Sequence, residues 1–400
     1  MSDLSAATSA GPGMPPVPLA SDPQFGGVEI PLSVRQCLLV AGIVVTVLAL
    51  LPAVTEQAEP LPAGKDFRIP YALSGDYWLF SRLCGKDAQE GKVLVLGDSV
   101  IWGEYVAAER TLPACLNARA GRERFANLGV DGMYPVALEG LVRYFGRPLR
   151  GGRVVLHCNL LWLASDEHDL RAGREFRFNH PALVPQFLPR IQPYQAPFGD
   201  RVEAAVDRVV PFRKCVRHWR AAACDGLDLP TWTMDHPYEI APSGGTSVSA
   251  ASAAASAAQQ PDAGDWQARG LKPQDFPWVD LAGSPQWQSF RRTVEILQER
   301  GNTVFVVLGP FNEHMLAPRS LAAYRRVKAE TAAWLAAHAD GLFVPEALPA
   351  GQYADASHPL ADGYAALARA LYDDPGFRQF CGHAPKEWPI QNDHDQLIRR

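Results

Sequence analysis

The sequence predicts an α/β protein: a three-layer α/β/α sandwich around a five-stranded parallel sheet, preceded by an N-terminal transmembrane helix. Two observations predict the sandwich. From Lys92 onward, short β-branched or aliphatic runs alternate with helix-patterned stretches, and they do so five times in order. A third observation predicts the membrane helix. Cys37 to Val54 holds no charge, and Thr46 is its only polar side chain. At about 1.5 Å per residue such a helix nearly crosses a hydrocarbon core of about 30 Å.

Taken in order, residues 1–31 are rich in Pro, Gly, Ser and Ala and read as disordered. Residues 32–55 read as a membrane anchor rather than a cleaved signal peptide, because the preceding leader is long and carries one basic residue, Arg35. The apolar run lacks an amphipathic stripe, which argues against a buried core helix. Arg35 flanks it on one side, with Lys65 and Arg68 farther out on the other. That favours a single-pass topology with the C-terminal part periplasmic or otherwise extracytoplasmic. Residues 56–90 read as a linker and lead-in.

The catalytic-type domain is expected over 91–380, with 381–400 as a tail. Its strands are expected at 93–96, 125–128, 154–156, 303–308 and 342–344. Helices are expected at 111–120, 135–145, 285–300, 321–338 and 361–372. Residues 165–284 break the alternation with many prolines, several tryptophans and a Ser/Ala/Gly tract at 243–260. That tract has too little apolar surface to offset its chain entropy and reads as a mobile loop. The whole stretch is an insertion between the third and fourth strands, either a lid over the strand ends or a packed subdomain.

Charge and cysteine content narrow the functional classes. Lys plus Arg number 38 against 43 Asp plus Glu, a net charge of -5 without a basic cluster, which argues against nucleic-acid binding. The seven cysteines form no Cys-x-x-Cys pair and no Cys/His zinc spacing, so no metal is expected. An exported domain admits disulfides, and Cys215 with Cys224 is the only close pair. No dinucleotide or Walker fingerprint is present, and no cofactor is expected.

Chemistry is concentrated at strand ends. Val93-Leu-Val-Leu-Gly97-Asp98-Ser99 puts a hydroxyl on the turn leaving a parallel strand, where ligands bind in open α/β sheets. A plain turn with Ser as helix cap has the same sequence. Near the other end, Asp355-Ala-Ser-His358-Pro359 places a carboxylate and an imidazole within reach of one another, a pair suited to activating that serine. Asn127-Leu-Gly129-Val-Asp-Gly132 and His157-Cys-Asn159 close the second and third strands and offer backbone and amide donors. Asn312 and His314, after the fourth strand, and Trp102 and Trp162, just beyond strand ends, are candidate substrate contacts. For the tryptophans, core packing is the competing role.

These blocks, in this order, resemble the SGNH (GDSL) hydrolase superfamily over about 92–166 and 285–374. The resemblance implies a flavodoxin-like SGNH fold with Ser99 as nucleophile, His358 as general base then acid, and Asp355 as its orienting partner. It implies an oxyanion hole of the Ser99 N–H, the Gly132 N–H (Gly129 being the alternative) and the Asn159 side chain. The third block departs from the family's usual Gly-x-Asn-Asp, reading His157-Cys158-Asn159-Leu160.

The expected function is that of a serine esterase or O-acyltransferase acting through an acyl-enzyme, with an O-acetylated envelope glycan as the substrate the context suggests. A non-catalytic SGNH-like scaffold in a polysaccharide acylation or export complex, beside a membrane-bound O-acyltransferase partner, is the alternative. A lipase or thioesterase would use the same residues and differ in its acyl pocket.

Overall fold

The structure, a computed structural model, describes residues 32–59, 61, 68–69, 73–224, 234 and 264–382. The expectations for 1–31, the 243–260 tract and 383–400 lie outside the described residues. The chain divides into two units, Met1–Val47 and Leu48–Arg400. Helix α1 (Val34–Ala58) runs through the boundary and is long and apolar enough to cross a membrane.

The second unit is α/β. Its five strands are β1 (Val93–Gly97), β2 (Phe125–Gly129), β3 (Arg153–Cys158), β4 (Thr303–Leu308) and β5 (Gly341–Phe343). They pair in parallel in the order β2-β1-β3-β4-β5. β-Branched and leucine side chains fill both faces, as expected of a parallel sheet covered on two sides. Alternate residues enter different clusters: Leu94, Leu96, Val154, Leu156, Val304 and Val306 pack into one. Val93, Val95, Val155, Phe305 and Val307 pack into the other.

The first face is covered by α2 (Tyr77–Gln89), α5 (Pro135–Gly140), α8 (Pro285–Glu299) and α9 (Leu321–His338). The second is covered by α4 (Leu112–Ala120), α10 (Ala361–Asp373) and α11 (Pro375–Gly382). A four-residue helix α3 (Ser99–Trp102) follows β1. Within the insertion lie α6 (Phe198–Val209) and α7 (Pro211–Ala223).

Two expected boundaries are corrected. Residues 56–90 are not all linker: α2 starts at Asp76, whose carboxylate accepts the Leu79 N–H at 3.0 Å, and buries Leu79, Phe80, Leu83 and Cys84 in the core. The tail does not begin at 381. Cys381 and Gly382 end α11, whose Phe377 and Phe380 pack against Phe305 at ring separations of 5.2 Å. No disulfide joins Cys215 and Cys224, or any other pair of the seven cysteines.

Candidate active site

β1 ends at Gly97, and the chain turns straight into α3, so Ser99 is the first helical residue and Asp98 its cap. The Asp98 carboxylate accepts the Val100 N–H at 3.1 Å. Far along the chain, the loop before α10 carries Asp355 and His358 to the same strand ends. Ser99 Oγ and His358 Nε2 are 2.8 Å apart, and His358 Nδ1 lies 2.8 Å from both Asp355 oxygens. The three expected residues therefore form a continuous relay. Ser99 and His358 are 9% and 8% exposed, so the relay is screened from bulk water but reachable.

The loop holding Asp355 and His358 is braced from several sides. Asp355 Oδ1 accepts the N–H groups of Ser357 and His358. Asn312, fully buried, donates its amide to the Asp355 carbonyl at 3.0 Å and its backbone N–H to Ala356. Asn312 thus positions the Asp355–His358 loop; with its side chain fully buried, the expected substrate contact becomes a structural one. His314 is exposed, with Nε2 3.1 Å from the Leu348 carbonyl. Trp102 and Trp162 are also corrected. Trp102 is buried, donating its indole N–H to Ile69 at 2.6 Å, and Trp162 packs on Phe290. Core burial of large rings outweighed any gain from presenting them at the site.

Of the two candidate oxyanion glycines, Gly129 donates its N–H to Asn127 Oδ1 at 3.0 Å, which leaves nothing for a ligand. Gly132 remains. Its φ of +65° belongs to glycine, and a Cβ there would stand 2.0 Å from Asn179 Nδ2. Asn159 sits beside the nucleophile turn, giving one amide hydrogen to Asp98 Oδ2 at 2.7 Å while its own oxygen accepts the Leu161 N–H. His157 Nδ1 contacts the other Asp98 oxygen at 3.0 Å. Burial alone would raise the Asp98 carboxyl, but His157 and Asn159 hold it below the usual carboxylate range.

Several residues at the site were missed by sequence reasoning. Gly103 ends α3 with φ +89° and turns the chain back, so that Glu104 donates its N–H to the Ser99 carbonyl. Glu104 Oε2 then lies 3.2 Å from His358 Nε2, beside the serine. Tyr105, at φ +66°, meets the His358 ring edge-on at 5.5 Å, and the Arg269 guanidinium lies over its face at 4.6 Å. A non-glycine residue in that region costs about 1–3 kcal/mol, a strain that fixed surroundings sustain. Arg269 belongs to the insertion and also donates to the Ala354 carbonyl at 3.0 Å. Nearby Trp266 bonds Tyr353 and Ala350, so the returning limb of the insertion packs on the catalytic loop. On the opposite limb, His180 binds the Asp131 carbonyl at 2.6 Å and the Tyr77 hydroxyl at 3.0 Å. The segments of the insertion around His180 and Trp266–Arg269 are thus a packed wall of the site. No short motif marks any of these residues.

Electrostatics follow from burial among carboxylates. Burial works against the His358 imidazolium, yet Asp355 foremost, then Glu104 and Asp98, lift His358 to about 9. Burial would raise the Asp355 carboxyl, but the imidazolium and two backbone N–H groups bring it below its ordinary value. Burial, with Glu104 nearby, pushes Asp131 up to about 6. Among the described residues no cluster of three or more His, Cys, Asp or Glu is arranged to hold a metal. Neither a protein-family model nor a curated protein matches this sequence.

Proposed function

We propose that the chain is a membrane-anchored, single-pass serine esterase or O-acyltransferase of the SGNH type, with its domain outside the cytoplasm. The observation that carries this reading is the Ser99–His358–Asp355 relay, with both contacts at 2.8 Å, at the carboxyl ends of parallel strands. The strand order β2-β1-β3-β4-β5 is that of flavodoxin-like sheets, which supports the superfamily assignment.

In this mechanism Ser99 Oγ attacks the ester carbonyl as its proton passes to His358 Nε2. The carbonyl electrons move onto oxygen, facing the Ser99 N–H, the Gly132 N–H and the remaining Asn159 amide hydrogen. Collapse expels the alcohol, which takes the proton from His358 and leaves an acylated Ser99. Water or a sugar hydroxyl then gives its proton to His358, attacks the acyl carbon and frees the serine. Asp355 holds the imidazole in the tautomer each step needs.

The rim is polar: Glu104, Asp131 and Arg269 surround the relay, with Asn179 beside Gly132. That lining suits a hydroxylated acceptor and a short acyl group, such as an O-acetylated glycan, better than a lipid chain. A membrane-bound O-acyltransferase would be a fitting partner for such an activity. The test is covalent labelling of the full chain by a fluorophosphonate probe, with Ser99→Ala as control. Labelling that the substitution abolishes is the expected result. A folded wild type that stays unlabelled would instead favour a glycan-binding scaffold.

A further inference from the structure

Away from the relay, the described residues of the second unit leave one run of large apolar side chains uncovered. Phe198, Val202, Val206 and Val209 recur at helical spacing along α6, and Phe198 and Val209 are 74% and 72% exposed. Phe187 packs against Phe198 at 6.0 Å, and Leu188 next to it is 87% exposed. The face is held rigidly. Arg201 bonds the carbonyls of Ala196, Gln186 and Tyr194, and Arg208 those of Ala182 and Val184. These arginines fix the inner side of α6 and leave the valine stripe outward.

The position of this stripe along the chain suggests what covers it. The apolar run of α1 stops at Val54, and Thr55, the next residue, receives the Cys215 thiol of α7 at 3.5 Å. Three residues on, His218 bridges Glu59 at 2.7 Å and Asp76 at 2.5 Å; Asp76 is buried with it and Glu59 is half-buried. The end of α1 is therefore clamped to α7. Cys215 is four residues into α7, about 6 Å along its axis, so the α6–α7 corner at Val209 and Val210 lies within about two helical turns of the clamp on the end of α1. A headgroup layer is about 5–7 Å thick on each side of the hydrocarbon core. Charge agrees as well: α6 and α7 together carry six basic and three acidic residues, in a chain of net charge -5.

We infer that the outer face of α6 is a membrane-docking surface that seats the domain on an anionic bilayer beside the exit of α1. The inference rests on the anchor reading of α1. The valines and Phe198 enter the headgroup–acyl boundary, and the net positive charge of α6 and α7, which remains after Arg213 and Arg217 pair with Glu203 and Asp207, favours an anionic surface, the arrangement of an interfacial helix. The domain is then held close to the membrane at two places rather than swinging on one.

The test uses the full chain in vesicles of phosphatidylcholine and phosphatidylglycerol containing an acyl-chain diazirine lipid, with photoadducts mapped by peptide mass spectrometry. Adducts are expected in α1 and in the Phe198–Val209 peptide. Val202→Glu with Val206→Glu should abolish the α6 adducts and leave those of α1. If circular dichroism shows that pair unfolded, Val202→Ser with Val206→Ser must produce the same loss. Omitting phosphatidylglycerol should reduce α6 adducts alone. Adducts confined to α1 overturn the inference while sparing the anchor. So does a doubled protein mass per nanodisc with α6 unlabelled, which would put a second copy on that face. Adducts in neither helix remove both.

Discussion

Replacing Glu104 with Gln tests whether the second carboxylate on His358 governs when the relay can act. The carboxylate oxygen is 3.2 Å from Nε2, and its side chain is 35% exposed. Two unit charges at that distance attract by about 1.3 kcal/mol at the dielectric constant of water and about 5 kcal/mol at an effective constant near 20. With a third of Glu104 in solvent, the lower figure governs. About 1.4 kcal/mol is one pH unit. His358 stands at about 9 with Asp355, Glu104 and Asp98 around it, and only its neutral form accepts the serine proton. Labelling of Ser99 by fluorophosphonate should therefore rise with pH through about 9 in the wild type. In Glu104→Gln the midpoint should fall by about one pH unit, and the rate at pH 7.5 should rise about eightfold by simple titration. The assay is the second-order labelling constant against pH, with Ser99→Ala as blank. A midpoint that stays in place or moves upward refutes the reasoning, since it means that the Glu104 charge is not felt at Nε2.

Other substitutions probe the remaining parts. Asp355→Asn keeps the shape but removes the charge that orients His358, and should slow labelling on the order of 10⁴-fold with no loss of folding by circular dichroism. Asn159→Ala removes an oxyanion donor and should lower ester turnover about a hundredfold or more, with a smaller effect on KM than on kcat. Gly132→Ala adds a Cβ at positive φ, 2.0 Å from Asn179 Nδ2, and should cost activity more than it lowers the Tm. His218→Ala leaves the buried Asp76 without its cation, while Glu59 keeps Arg82 at 3.6 Å, and should destabilise the chain by about 3 kcal/mol in denaturant unfolding. Burial opposes the His218 charge, but the two carboxylates lift it to about 9, against an ordinary 6.5. Its contribution is thus complete below about pH 6.5 and lost as pH rises through about 9, so wild-type stability should fall over that window more steeply than the variant's.

Much of the framework was legible because strands and helices announce themselves locally. The run Thr303 to Leu308 is aliphatic and aromatic between turn residues, and it forms β4 within the expected bounds. Leu321 to His338 likewise forms α9. The relay was legible because each member sits in a short motif at a strand or helix end, and the parallel pairing of β1 with β3, β3 with β4 and β4 with β5 puts those ends along one edge of the sheet. α2 was hidden by Pro60, Pro62 and Pro70 in the approach, which made the segment read as linker; the cap at Asp76 was its only start signal. Glu104, Asn179 and Arg269 were illegible for a different reason. Each reaches the site through a long-range placement, by a left-handed turn or by the packing of an insertion, and no local periodicity encodes that.

The altered third block becomes intelligible in the same terms. Asn159 can serve an oxyanion only if its amide plane is held, and Asp98 holds it by accepting one of its two hydrogens. The other Asp98 oxygen already accepts the Val100 N–H at 3.1 Å, and a buried carboxylate gains from each further donor. His157 Nδ1 meets that same oxygen at 3.0 Å. The exchange demands room. Gly97 lies opposite on β1, where a Cβ would stand 2.8 Å from the His157 Cβ, so the glycine before the nucleophile turn makes space for the imidazole on the neighbouring strand. Position 157 therefore works with Gly97 and Asp98 as one unit. Exchanging His157 for Gly alone would leave Asp98 with two of its three donors, the Val100 N–H and the Asn159 amide, and so loosen the carboxylate that holds Asn159.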